Sequence, residues 1–173
     1  MKKISFIIPC FNEEKNVLII YDKIKKIYQQ QNYEVEIVFI DDGSSDNTLY
    51  ELKQIKDSDK KISAKIISFS RNFGKDSAIY AGLKNSTGDY SVIIDADLQQ
   101  NPKLTLDMVE FLEKNKDYNC VCYYQDKRIE NKFISFLKKK FYKLMAGTTN
   151  IEFVEGASDF RMFDRKMANS IIE

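Results

Sequence analysis

The chain has 173 residues and a formal net charge of +1, from 27 Lys and Arg against 26 Asp and Glu. This length suits one domain with a sizeable core, and the balanced charge gives no indication of a nucleic-acid partner. The absence of His excludes imidazole acid–base catalysis and His-ligated metal sites. The three Cys residues lack the spacing of a metal site or a disulfide scaffold, so we expect a reducing, cytoplasmic setting.

The hydrophobic pattern alternates between short buried strands and helices. Pro9 is expected to end the first strand, 4–8, and Asn12 to cap the first helix, with Glu13 and Glu14 near its positive N-terminus. The same patterns predict further strands at 33–40, 65–69, 90–94 and 120–124, and further helices at 46–56, 76–85, 102–115 and 131–145. This alternation predicts a single α/β domain whose mostly parallel central sheet is flanked by helices on both faces.

The segment 91–99 carries the strongest chemical signal in the chain. A short apolar strand ends in Asp95 and Asp97, and the amide of Gln99 follows two residues later. Desolvated carboxylates this close in sequence repel each other unless a cation neutralises them, and oxygen ligands favour Mg²⁺ or Mn²⁺. The segment therefore predicts a divalent metal site; the alternative is a strand-end turn with solvated Asp side chains.

Three other polar clusters, at 11–13, 41–42 and 71–75, also directly follow predicted strands. Ligands of such sheets bind beyond the carboxyl ends of the strands, so these clusters and 95–99 predict a metal-plus-phosphate site at one edge. The first strand–helix turn, 9–14, is acidic and lacks the Gly-x-Gly-x-x-Gly pattern of dinucleotide-binding folds, and the chain has no Walker-type loop. A nucleotide would therefore be held through its base and ribose near the first two loops.

Five motifs together resemble the inverting family-2 glycosyltransferases of GT-A fold, the Rossmann-like fold of nucleotide-diphospho-sugar transferases. Within that family the chain is most similar to the branch of dolichyl-phosphate mannose synthase and bactoprenol glucosyltransferase. The resemblance covers essentially the whole chain, with the motifs in the right order. They are Ile8-Pro9-Cys10-Phe11-Asn12-Glu13-Glu14, Asp41-Asp42-Gly43-Ser44-Ser45-Asp46, Ser70-Arg71-Asn72-Phe73-Gly74-Lys75, Asp95-Ala96-Asp97-Leu98-Gln99 and Asp159-Phe160-Arg161.

The resemblance implies a role for most polar residues of the predicted edge. Asp97 and Gln99 would hold the Mg²⁺ or Mn²⁺ that bridges the donor phosphates, where negative charge grows on the leaving group. Two alternatives stay open, namely pairing with the helix dipole for Glu13 and a turn cap for Asp41. The residues implied to bind the nucleotide sugar are Pro9, Phe11 and Glu13 at the base and ribose, Asp41 at the base edge or ribose, Asp95 and Ala96 at the ribose and diphosphate, and also Asp42 and Lys75.

The catalytic candidates on the acceptor side are Asp159, Arg161 and Arg128. In typical members of the family a late carboxylate is the general base that deprotonates an acceptor hydroxyl. A lipid-phosphate acceptor is already an anion and needs cationic positioning instead, which Lys127, Arg128, Lys132 and Arg161 would supply. Asp159 would then orient Arg161 or the sugar, and a purely structural Asp159–Arg161 pair is the alternative.

The acceptor side also departs from the pattern of the branch. The branch usually has two Arg residues near the position of Arg128, and this chain has Gln125 at the earlier one. Lys127 is the residue available to compensate for that missing charge. The departure bears on the lipid-phosphate acceptor and leaves the glycosyltransferase motifs intact.

The resemblance implies transfer of a hexose, with inversion, from a nucleotide-diphosphate sugar to a polyprenyl phosphate. The alternatives are transfer to a saccharide hydroxyl in surface-polysaccharide synthesis and a catalytically idle sugar-nucleotide-binding module. A nucleotidyltransferase is disfavoured, because that class uses a Gly-rich, basic first loop that this chain lacks.

The segment 131–143 bears on where the protein acts. It interleaves apolar residues with Lys, which suits either peripheral contact with the inner face of an anionic membrane or an ordinary helix with a solvated lysine face. No apolar run in the chain is long enough to span a bilayer. Because the chain ends inside a predicted helix, we expect residues 1–173 to be a GT-A domain truncated at its C-terminus. No sequence feature indicates the oligomeric state.

Overall fold

The computed structural model describes residues 1–55, 62–124 and 157–173. The chain divides into two compact units, Met1–Val121 with Asp159–Glu173, and Cys122–Ser158. The second unit is described only at residues 122–124 and 157–158, so the single-domain organisation stays a prediction. The elements are β1 (Lys2–Cys10), α1 (Val17–Tyr28), β2 (Tyr33–Asp41), α2 (Thr48–Lys53), β3 (Ile62–Ser68), α3 (Lys75–Asn85), β4 (Tyr90–Ile93), α4 (Leu104–Lys114), β5 (Cys120–Tyr124), β6 (Ala157–Asp164) and α5 (Arg165–Ile172).

The six strands form one sheet in the order β3-β2-β1-β4-β6-β5. The β3–β2, β2–β1 and β1–β4 pairs are parallel, whereas β6 runs antiparallel to β4. The predicted mostly parallel α/β architecture is therefore confirmed. The strand order reverses between β1 and β4, and ligands of open α/β sheets bind outside the carboxyl ends of the strands at such a reversal.

The core has one hydrophobic cluster on each face of the sheet, because alternate residues of a strand point to opposite faces. On β1, Phe6 and Ile8 belong to the cluster formed with α1, α2 and α4, and Ile7 belongs to the cluster formed with α3 and α5. A Cβ on Gly82 of α3 would lie 2.4 Å from Cγ2 of Ile7. Gly82 therefore allows α3, whose N-terminus carries Lys75, to lie directly on the sheet.

The expectation that Pro9 ends the first strand is wrong, because β1 continues to Cys10 and pairs with β2 along its whole length. The carbonyl of Ile7 accepts a hydrogen bond from the N–H of Ile94, so Ile7 faces β4. Pro9 lies two residues further along β1, so its backbone also faces the β4 side. Strand β4 ends at Ile93, before it reaches Pro9. The missing N–H of Pro9 therefore removes no ladder bond.

The predicted start of the first helix is also wrong. Helix α1 begins at Val17 after the N-cap residue Asn16, and its first turn has no acidic residue. Asn12 instead has a positive φ of 58°, a conformation that Asn tolerates better than most residues.

The strand predicted at 120–124 is present with the same ends, and the other predicted strands and helices within the described residues are present with shifted ends. Strand β6 is an element that the sequence patterns did not predict. The predicted helix at 131–145 lies outside the described residues.

Candidate active site

The parallel strands bring four polar loops to one edge of the sheet. Strands β1, β2, β3 and β4 end at Cys10, Asp41, Ser68 and Ile93, and each loop that follows contains one of the predicted clusters. The predicted convergence of these clusters is therefore confirmed. Hydrogen bonds between the loops fix the shape of this edge.

The loop after β1 is tied to the loop after β2 through Asn12. The backbone N–H of Asn12 donates to Oγ of Ser44 at 3.0 Å, and its side-chain Oδ1 accepts from the N–H of Ser45 at 2.9 Å. The N–H of Glu13 donates to Oγ1 of Thr48 at 2.7 Å. Asn12 thus has a loop-fixing role in place of the expected helix cap.

Asp41 and Asp42 tie the loop after β2 to its neighbours, and both are almost fully buried. The Asp41 carboxylate accepts from the N–H of Ser44 and from Oγ of Ser68, both at 3.1 Å. The Asp42 carboxylate accepts from the N–H groups of Phe73 and Gly74, at 2.7 and 3.0 Å. The contact with the Ser44 N–H is that of a turn cap, which was the alternative interpretation of Asp41. Contact of Asp41 or Asp42 with a nucleotide stays a prediction.

Asp95 lies just beyond the end of β4 and is held by Gln100. The backbone N–H of Asp95 donates to Oε1 of Gln100 at 3.0 Å, and Nε2 of Gln100 donates to Oδ2 of Asp95 at 3.1 Å. These two bonds close the loop that contains Ala96, Asp97 and Leu98. Leu98 has a φ of 64°, a left-handed conformation that is strained for a residue with a Cβ.

Antiparallel pairing of β6 with β4 brings Asp159 to the same place. Arg161 is the register partner of Ile93, so continuing the register by two residues sets Asp159 opposite Asp95. Nη2 of Arg161 lies 3.2 Å from Oδ1 of Asp159. The predicted Asp159–Arg161 pair is therefore present at the carboxyl edge.

Lys75 connects the two acidic residues. Its Nζ lies 2.7 Å from Oδ1 of Asp95 and 2.9 Å from Oδ2 of Asp159. The hydrogen bond from Lys75, more than any other contact, lowers the pKa of Asp159 below its ordinary value. Partial burial disfavours the charge on Lys75, but the bonds to Asp95 and Asp159 outweigh it and raise the Lys75 pKa. Both shifts favour the charged forms of Lys75 and Asp159 at neutral pH.

Asp97 and Gln99 are both exposed at this edge, and Ala96 between the two acids is buried. Oδ1 of Asp97 accepts from the N–H of Gln99 at 3.0 Å, which fixes the carboxylate relative to its own loop. Within residues 1–55, 62–124 and 157–173, no group of three or more His, Cys, Asp or Glu side chains is placed to hold a metal ion. A cation at Asp97 would need substrate phosphates or water to complete its coordination, as is usual for Mg²⁺.

The remaining predicted residues fall into two groups. Pro9 and Phe11 lie at the end of β1, and Phe11 is 47% exposed. Glu13 precedes α1, and its Oε2 accepts from Nδ2 of the N-cap residue Asn16 at 2.6 Å, so the nucleotide role and the dipole alternative both stay predictions. Arg128, with Gln125, Lys127, Lys132 and the segment 131–143, lies outside the described residues.

Sequence reasoning missed Gln100 and the bridging position of Lys75. Gln100 directly follows the Asp95–Gln99 motif, but its contact with Asp95 depends on the turn at Leu98. The Lys75 contact joins residues 84 positions apart in the chain. Only the pairing of β6 with β4 brings those residues together, and the sequence patterns did not predict β6.

Comparison with known proteins identifies the family. The family model described as glycosyl transferase family 2 matches residues 5–172. The chain belongs to glycosyl transferase family 2. It is 36% identical over 173 residues to a prophage bactoprenol glucosyl transferase homolog of Escherichia coli, covering 98% of this chain and 54% of that protein. It is 35% identical over 173 residues to the bactoprenol glucosyl transferase of Shigella phage SfX, again covering 98% and 54%.

The solved structures confirm the expected GT-A fold. A mannosyltransferase from Pyrobaculum calidifontis, in complex with GDP-Man and Mn²⁺, matches with a TM-score of 0.63 and 22% identity, covering 98% of this chain and 46% of that one. The chain spans about half the length of the curated relatives it matches. In the part of the chain that the structure describes, no helix combines the length and apolar character needed to cross a membrane.

Proposed function

We propose that this chain transfers a hexose, with inversion, from a nucleotide-diphosphate sugar to a polyprenyl phosphate, and that it requires Mg²⁺ or Mn²⁺. The observation that carries the proposal is the arrangement at the carboxyl edge of a family-2 sheet. There Lys75 lies between Asp95 and Asp159, in the loop region that also exposes Asp97. The names of the relatives support the reaction class, since two of them are a bactoprenol glucosyl transferase and a homolog of one.

The donor side of the proposal rests on residues at the ends of β1, β2 and β4. The exposed Phe11 ring offers an apolar surface for a nucleobase, near the buried Asp41 and Asp42 that shape the neighbouring loop. Asp95 and Ala96 lie where the strand order reverses, which is the usual ligand position of such a sheet. Related folds have been solved with UDP-GlcNAc and with GDP-Man, both nucleotide-diphosphate sugars.

The exposed carboxylate of Asp97 and the amide oxygen of Gln99 are hard oxygen donors of the kind that Mg²⁺ and Mn²⁺ prefer. A bound divalent cation would neutralise the negative charge that develops on the donor diphosphate as the sugar leaves. The hydrogen bond from the Gln99 N–H orients the Asp97 carboxylate before any ligand arrives. Mn²⁺ in the structure of the mannosyltransferase from Pyrobaculum calidifontis supports this choice of metal.

The state of Asp159 favours a phosphate acceptor over a saccharide hydroxyl. A general base has to take a proton, and efficient bases have a pKa near the working pH. Lys75 lowers the pKa of Asp159, which makes this carboxylate a weaker base. A polyprenyl phosphate is already an anion and needs no proton removed. Arg161, paired with Asp159, is a cation available to position it.

The basic segment 131–143 supplies the sequence argument for action at a membrane surface. Its Lys residues would be attracted to anionic headgroups, and its apolar residues would enter the interface. We propose that it brings the carboxyl edge to a lipid-borne acceptor at the inner face of the membrane.

The donor proposal is tested by calorimetric titration of the chain with UDP, GDP and CDP, each with and without Mn²⁺. We expect one nucleotide to bind in a Mn²⁺-dependent manner. Asp97→Ala should remove the metal-dependent part of the affinity, whereas Asp22→Ala, the same change at an exposed position on α1, should leave it unchanged. No binding of any of the three nucleotides, or normal Mn²⁺-dependent binding by Asp97→Ala, would contradict the donor site.

The acceptor proposal is tested with the nucleotide sugar that binds best, carrying a radiolabelled sugar. The chain is incubated with Mn²⁺ and either a polyprenyl phosphate in detergent or a saccharide acceptor. Label in the lipid product supports the proposal, and label only in the saccharide supports the hydroxyl alternative. Tight nucleotide-sugar binding with no product in either reaction would identify an idle binding module.

A further inference from the structure

The side chain of Gln100 is the main support of Asp95. Its carbonyl oxygen accepts from the Asp95 backbone N–H, and its amide nitrogen donates to Oδ2 of the Asp95 carboxylate. The other carboxylate oxygen, Oδ1, is the one that contacts Lys75 at 2.7 Å. Gln100 and Lys75 therefore contact opposite oxygens of the Asp95 carboxylate, and together these contacts define its orientation.

Only an amide side chain of this length satisfies both groups. The backbone N–H is always a donor and the carboxylate accepts, so the oxygen of Gln100 must face the N–H and its NH₂ must face the carboxylate. A Glu would offer no donor when ionised and would repel Asp95. An Asn is one methylene shorter, and a Met has the right length but lacks both polar atoms.

We infer that Gln100 is a positioning residue, which fixes the Asp95 carboxylate and, through it, the Lys75 ammonium for binding of the donor diphosphate. This inference rests on the proposed function for its ligand. Its structural basis is a continuous chain of contacts from Gln100 through Asp95 and Lys75 to Asp159 and Arg161. Gln100 acts through Asp95 and does not itself have to contact the substrate.

The loop that Gln100 closes would not keep its shape from local preference alone. Leu98, within the loop, has the left-handed φ of 64°. The two bonds from Gln100 to Asp95 connect the ends of the loop and oppose its relaxation. The same loop holds Asp97, so the position of Asp97 also depends on Gln100.

The test compares four forms of the chain, namely wild type, Gln100→Met, Asp95→Asn and the double variant. Gln54→Met serves as the matched control, because Gln54 is an exposed Gln at the end of α2. UDP, GDP and CDP affinities with Mn²⁺ are measured by calorimetry. Exchange of the Asp95 backbone amide is measured by NMR without any ligand, and thermal unfolding verifies that each variant folds.

We expect Gln100→Met to weaken binding of the preferred nucleotide roughly tenfold, as for loss of a hydrogen bond to a charged group. In the Asp95→Asn background the Gln100→Met substitution should weaken nucleotide binding less than about twofold, because the Asp95 carboxylate that Gln100 positions is already absent. The Asp95 amide should exchange roughly tenfold faster in Gln100→Met and at the wild-type rate in Gln54→Met.

If Gln100→Met weakened nucleotide binding equally in the wild type and in Asp95→Asn, the positioning role would be overturned. Gln100 would then be a general support of the loop. Wild-type affinity in Gln100→Met would overturn the positioning role as well. If the wild type binds no nucleotide, the proposed function fails. The amide exchange then decides the inference alone, since an unchanged rate shows that Gln100 does not hold Asp95.

Discussion

Replacing Lys75 with Met tests the central contact of the site. Met has nearly the same length and keeps the apolar stem, so the change removes mainly the charge. The ammonium lies 2.7 Å from Asp95 and 2.9 Å from Asp159, and without it the two carboxylates face each other. The variant should therefore lose two ion pairs and gain one repulsion.

The size of the effect follows from geometry and exposure. Two oxygens that share one ammonium within 3 Å lie less than about 6 Å apart, where the repulsion is roughly 0.7 kcal/mol in water and 3 kcal/mol at an effective dielectric of 20. The side chains of Lys75, Asp95 and Asp159 are 40, 26 and 55% exposed, which favours the lower end. With about 0.2–1 kcal/mol for each lost pair, we expect a loss of roughly 1–2 kcal/mol in the free energy of unfolding.

The loss should depend on pH in a defined way. Folding lowers the pKa of Asp159, so its contribution is present above the ordinary carboxyl pKa and disappears as the pH falls through the lowered value. Folding raises the pKa of Lys75, so its contribution is present below the ordinary Lys pKa and disappears as the pH rises through the raised value. The difference between wild type and variant should therefore be constant from about pH 5 to pH 10 and shrink on either side.

Urea unfolding at a series of pH values measures this difference, with Lys84→Met, on the exposed side of the same helix, as the control. A difference that does not change between pH 2 and pH 7 would refute the electrostatic explanation. It would show that the Lys75 side chain stabilises the fold through its apolar stem.

Two further predictions concern the loops and the last helix. Gly43→Ala should destabilise the fold more than Gly74→Ala, because both have positive φ but only at Gly43 would the new Cβ lie 2.3 Å from the Arg71 carbonyl carbon. We expect Gly74→Ala to lower the free energy of unfolding by about 1–3 kcal/mol, from backbone strain alone, and Gly43→Ala to lower it more in urea unfolding. Equal losses would contradict the packing argument. Asp164→Ala should cost about 0.5–2 kcal/mol, because Asp164 caps α5 through the N–H of Met167, and Asp164→Asn should retain most of that stability.

The strands and the edge they form were predictable, since they depend on local patterns. The buried runs of β1, β2 and β4 and the polar residues after them are contiguous in sequence. Parallel pairing then brings their ends together without further information. Pro9 shows the limit of a local rule, because whether a missing N–H matters depends on where the neighbouring strand ends.

The contacts that shape the site were not predictable from local patterns. Asn12 has the sequence signature of a helix cap, yet its side chain bonds to Ser45 on another loop, and the helix begins later. The link between Lys75 and Asp159 depends on β6, an antiparallel strand that does not follow the strand–helix alternation. Such contacts depend on the register between distant segments, which no single window of sequence contains.

The charge balance at the carboxyl edge gives a physical reason to propose a metal-dependent donor site. Asp95 and Asp159 are matched by Lys75 and Arg161, so these four side chains have no net charge, and the exposed Asp97 adds a negative one. These four side chains therefore offer no surplus positive charge to a diphosphate. Lys75 has a third N–H for the diphosphate, but its charge is already balanced by Asp95 and Asp159, so it cannot neutralise the added negative charge while it holds both. A donor that binds together with a divalent cation at Asp97 brings the missing positive charge and leaves the Lys75 contacts intact.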